Sequence, residues 1–61
     1  MFHLVIEDRN GYIEDSIFEY GTVADAKVVA KYIWENRMNL VSIKIADREG
    51  ETQYEYTTNE S

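Results

Sequence analysis

Two stretches of the chain end alike: Asp8-Arg9-Asn10-Gly11 and Asp47-Arg48-Glu49-Gly50. Each sets Asp, two further residues and Gly between runs of β-branched and aromatic side chains. The pattern can be read as the middle of a calcium loop or as a tight turn between two strands, and counting ligands decides. An EF-hand loop takes oxygens at positions 1, 3, 5 and 12, with Gly at 6. With Gly11 at position 6, Ile6 falls at 1 and Ile17 at 12; with Gly50 there, Ile45 falls at 1 and Tyr56 at 12. Isoleucine offers calcium no oxygen, and the flanks read as strands rather than helices. The turn reading prevails. Asp at the first position and Gly at the fourth suit a type I turn, with Gly where positive φ is needed. Asn10-Gly11 also fits a two-residue type I′ turn.

Two hairpins follow. Strands are predicted over about residues 2–8, 12–20, 40–46 and 52–58, each rich in Val, Ile, Thr, Tyr or Phe. Between the hairpins, Thr22 is a good N-cap with Asp25 three residues on. The run that follows holds no Gly or Pro, which predicts a helix over about 23–38 with Asn39 as its stop. The fold class is therefore α+β: one ββαββ domain over 1–61, its helix packed on one face of a four-stranded, largely antiparallel sheet.

The second hairpin reads as cleanly amphipathic. Pairing Ile45 with Tyr54 and Ile43 with Tyr56 gathers its apolar groups on one face. The first does not. A three-residue loop would join Phe2 and Leu4 to the face of Phe18 and leave Val5, Ile13 and Ile17 behind. An even-numbered loop would join Leu4 to Ile17 and leave Val5, Tyr12, Phe18 and Tyr20 behind. Either register strands apolar side chains on the face the helix does not cover. The helix has a similar excess. Val23, Ala26, Val29, Ala30, Ile33 and Trp34 form its core stripe at 100° per residue, while Val28 and Tyr32 fall on the opposite side.

Composition bounds the function. Sixty-one residues make a thin core. There is no Cys, hence no disulfide and no thiolate metal site, which suits a reducing cytoplasm. No apolar run approaches the roughly 20 residues of a membrane span. The N-terminus lacks the features of a signal peptide, and the initial Met with no tag predicts a complete small protein of the cytoplasm. The net charge is −6, carried by the two ends. Residues 1–20 hold five acids against one base, net −4, while residues 21–39 are net +1 and residues 40–61 net −3. Phosphate backbones demand the reverse, so direct nucleic-acid binding is disfavoured and a basic protein partner favoured.

No catalytic set emerges. His3 is the sole histidine, Ser16 and Ser42 sit in strands without a nucleophile elbow, and no Gly-rich phosphate loop occurs. The expectation is a non-catalytic, acidic, protein-binding module with no cofactor and no metal. Its candidate partner-binding residues are Glu7, Tyr12, Glu14, Asp15, Phe18, Glu19, Tyr20, Val28 and Tyr32, with Val5, Ile13 and Ile17 as the alternative apolar set. An apolar centre with a charged rim is how interfaces are built. By analogy, small acidic inhibitors of phages and mobile elements share this profile. Some bind basic host proteins of nucleic-acid processing or defence by mimicking DNA. The alternative is a homodimeric structural or regulatory subunit.

Overall fold

The computed structural model describes residues 1–16 and 18–58. Its elements are β1 (His3–Asp8), β2 (Ile13–Asp15), α1 (Val23–Asn36), β3 (Leu40–Ala46) and β4 (Thr52–Thr57). The four strands form one sheet in the order β2-β1-β3-β4, each neighbouring pair antiparallel. The expected ββαββ architecture is present, with α1 on one face of the sheet.

The two turns are built alike. Asp8 N–H donates to the Tyr12 carbonyl at 3.0 Å, and Asp47 N–H to the Glu51 carbonyl at 3.0 Å. Gly11 N–H donates to the Asp8 carbonyl at 3.1 Å and Gly50 N–H to the Asp47 carbonyl at 3.0 Å. One carboxylate oxygen of Asp8 accepts from the N–H groups of Asn10 and Tyr12, at 2.9 and 3.0 Å. Asp47 does the same for Glu49 and Glu51, at 3.0 and 2.9 Å. Gly11 and Gly50 take φ of +83° and +85°. These are three-residue loops, a type I turn closed by a left-handed Gly. The type I′ alternative is not used. It needs positive φ at Asn10, yet Asn39 is the one non-glycine with positive φ among the described residues.

β3 and β4 pair as expected, Ile43 with Tyr56 and Ile45 with Tyr54. β2 departs from expectation, because only three of the residues predicted over 12–20 form a strand. Ser16 N–H still reaches the Leu4 carbonyl at 2.8 Å, but the next bridge joins Phe2 to Tyr20. Between these two pairs the register shifts by two residues, which marks a bulge in the pairing. Ser16 Oγ helps hold the bulge by accepting the Phe18 N–H at 3.1 Å, a local bond that competes with the ladder. Ile17 lies outside the described residues.

Thr22 caps α1, its hydroxyl accepting the Asp25 N–H at 3.1 Å. The helix stops at Asn36, two residues short of the predicted end. Arg37 is already extended, at φ −111° and ψ 138°, although its N–H still donates to the Ile33 carbonyl. The Asn36 side chain donates to the Tyr32 carbonyl at 2.8 Å and satisfies another group of the last turn. Asn39, at φ +67°, then turns the chain into β3.

The core joins Leu4 and Ile6 of β1, Leu40, Ile43 and Ile45 of β3, and Ala26 and Ala30 of α1. Two alanines one helical turn apart let the helix lie close against β3. Val23, Val29, Ile33 and Trp34 flank them, half-buried, so the whole predicted stripe faces the core. On one flank Trp34 stacks on Tyr56 at 6.2 Å, Tyr54 meets Tyr56 edge-on at 5.1 Å, and Lys27 Nζ sits 4.1 Å above the Tyr54 ring. Burial, helped by the neighbouring Tyr54 and Glu35, pushes the Tyr56 hydroxyl above the usual tyrosine pKa. This aromatic cluster pins α1 over the β3–β4 side. On the opposite side the helix packs less fully over β1, and Phe2 and Tyr20 help to close over the buried Leu4 and Ile6.

Candidate protein-docking surface

Because α1 lies off-centre, a groove of about 530 Å³ runs between it and the β2 edge. Leu4 and Ile6 form its floor, and Val29 and Ile33 its helical bank. Ser16, Phe18 and Tyr20 form the other bank, with Ser16 and Tyr20 tied to Leu4 and Phe2 of the neighbouring segment by backbone hydrogen bonds. Arg37 follows the helix and faces Glu14 of β2 at 3.8 Å across the groove. Both side chains are about half exposed, so the pair contributes little to stability. It does set a cation against the one acid, Glu14, whose carboxylate is shown at the groove. Phe18 remains 67% exposed beside this apolar floor.

The strand pairing distributes the predicted residues over two faces. Ile6 opposes Glu14, so Glu14 lies on the helix side. Tyr12, two residues earlier, shares that side by alternation, at the hairpin tip. Phe18 and Tyr20 line the groove, also on the helix side. Val5 opposes Asp15 and Glu7 opposes Ile13, which places these four on the open face. The grouping of Val5 with Tyr12, Phe18 and Tyr20 on one open face is therefore corrected. The three-residue loop chose the other register, and Val5 and Ile13 are the apolar residues left behind. On that face His3 Nε2 meets Asp15 at 3.6 Å, and Lys44 stands between Val5 and Glu55. Its carboxylates are thus interspersed with a histidine and a lysine.

Val28 and Tyr32 are exposed, at 71% and 68%. Each precedes a groove residue, Val29 and Ile33, by one position, about 100° around the helix. Val28 and Tyr32 are not among the residues that line the groove. Sequence reasoning missed Leu4, Ile6 and Arg37 as parts of this surface. Alternation along the strand shows only which face Leu4 and Ile6 share, and nothing in the spacing tells how far the helix reaches over them.

The oxygens of Asp8 and Asp47 that would serve a calcium loop accept backbone N–H groups within their turns. Among the described residues no three His, Asp or Glu side chains are placed to hold a metal ion. No helix among them is long and apolar enough to cross a membrane. No protein-family model, curated protein or solved structure matches the chain.

Proposed function

We propose that this chain is a non-catalytic binding module that receives an apolar segment of a basic protein in the groove between α1 and β2. One observation carries the reading. Leu4 and Ile6, themselves buried, line a groove beside the helix together with Phe18, which is 67% exposed, and Glu14 stands at its rim. An apolar centre within a charged rim is the anatomy of a protein interface. A net charge of −6 favours a basic partner and steers its approach. The narrower reading is an inhibitor of the kind phages and mobile elements make, occupying the phosphate sites of a host nucleic-acid-processing or defence protein in the cytoplasm. Glu7, Asp15 and Glu55 on the open face support it, but Lys44 and His3 sit among them. The groove, rather than a row of carboxylates, is the stronger support.

The test is capture of partners from host lysate on the immobilised chain at low and high salt. Each captured protein is then titrated with wild type, Phe18→Ala and Tyr12→Ala. The expected partner is basic, binds more weakly in high salt, and loses affinity about tenfold or more with Phe18→Ala. Tyr12→Ala, outside the groove, changes little. Salt-insensitive binding that ignores Phe18→Ala rejects the proposal.

A further inference from the structure

The sheet has two edges, and they are not equally guarded. The β2 edge is three residues long and ends in a bulge, a common way to block strand addition. The β4 edge is six residues, TQYEYT, with no Pro, Gly or Lys. Strand-favouring residues of low net charge make it a ready template for pairing.

The ladder shows which groups that edge offers. Thr58 N–H donates to the Val41 carbonyl at 3.0 Å. Hydrogen-bonded pairs alternate along an antiparallel ladder, so Tyr56 and Tyr54 also bond inward, opposite Ile43 and Ile45. Glu55 and Thr57 therefore turn both N–H and C=O outward. The register slips between Ile45 and Ala46, where Thr52 rather than Gln53 opposes Ala46. Gln53 is the extra residue of a bulge, and the regular edge runs from Tyr54 onward.

We infer that this edge pairs with the β4 edge of a second copy of the chain, antiparallel, about a two-fold axis at Tyr56. That axis centres the regular segment 54–58 on itself. Glu55 then opposes Thr57 of the copy, and each such pair exchanges two N–H···O bonds. On the open face the Glu55 carboxylate then stands beside Thr57, whose hydroxyl donates to the Val41 carbonyl of its own chain at 3.4 Å, and not beside a second carboxylate. Shifting the axis by one residue to Glu55 would set two carboxylates face to face, which is destabilising. Lys44, opposite Glu55 on β3, offsets the charge within each copy. The two sheets join into one, and the groove at the far edge stays open in both. This pairing is independent of the groove's occupant.

The chain has no cysteine, so single-cysteine variants report the register directly. Glu55 and Thr57 are exposed, and replacing them leaves the core intact. Glu55→Cys and Thr57→Cys are oxidised separately and as a mixture. The expected result is a covalent dimer from the mixture alone, since each cysteine faces the other position across the axis. A dimer from Glu55→Cys alone, or none from the mixture, overturns the register. Sedimentation equilibrium should give a dimer for wild type and a monomer for Glu55→Pro, which removes only an outward N–H from an edge strand. Circular dichroism of Glu55→Pro should match wild type. Wild type monomeric throughout its soluble range, or a dimer unaffected by a correctly folded Glu55→Pro, overturns the pairing itself.

Discussion

The two hairpins begin from the same turn and end as different objects. Their loop hydrogen bonds agree within 0.1 Å, and their glycines differ by 2° in φ. Yet β3–β4, apart from the bulge at Gln53, is a continuous ribbon whose apolar face lies under α1. In β1–β2 the second strand breaks after three residues and exposes Ile13 and Phe18. Identical turn chemistry sets register in both, but only cover rewards it. Ile43, Ile45, Tyr54 and Tyr56 gain a helix to pack on, held there by Trp34 and Lys27. Ile13, facing the uncovered side, gains little by staying in line.

The largest effect that separates the hairpins is expected from truncating one isoleucine in each. Ile43 is fully buried, and Ile43→Ala should cost about 2–5 kcal/mol, enough to unfold much of a chain this small. Ile13 is 61% exposed, and Ile13→Ala should stay within about 0.5 kcal/mol. Urea unfolding measures both, and equal costs would mean that the open face is covered in solution.

A smaller effect tests the likeness of the turns. Gly11→Ala and Gly50→Ala each force a side chain into the left-handed region and should cost about 1–2 kcal/mol. A Cβ at either position meets nothing within 4 Å, so conformation alone is at stake. The two costs should agree. A clearly larger loss at Gly50 would show that the turn's strain is amplified by the packed hairpin behind it.

The smallest expected effect is a pH dependence confined to the covered hairpin. The Tyr56 pKa is raised in the folded chain, chiefly by burial. The folded state therefore holds its proton where the unfolded state has begun to lose it. Stability from this group is whole below the ordinary tyrosine pKa, about 10, and falls as pH rises through the folded value. Thermal melts in alkaline buffer should show the decline for wild type. Tyr56→Phe, which keeps the ring stacked on Trp34, should flatten it.

Much of this architecture is local and was legible as such. The Asp and Gly of each turn, the Thr22 cap, the stripe from Val23 to Trp34 and the pairing of Ile43 with Tyr56 all follow from interactions within a few residues or from alternation along one strand. Whether Ile13 or Tyr12 and Phe18 would share the open face with Val5 depended on the register, and so on the loop length. The bulge after Ser16 was hidden because it depends on Phe2 pairing with Tyr20, a contact between chain segments far apart in sequence. The groove was hidden for a related reason. Leu4, Ile6, Val29 and Ile33 carry the same apolar pattern whether a helix covers them fully or halfway. Where α1 lies is settled by Ala26 and Ala30 on β3 and by Trp34 against Tyr56, packing that exists only once all the strands are assembled. Local chemistry determined the elements and their turns, while tertiary packing decided which apolar side chains were left exposed.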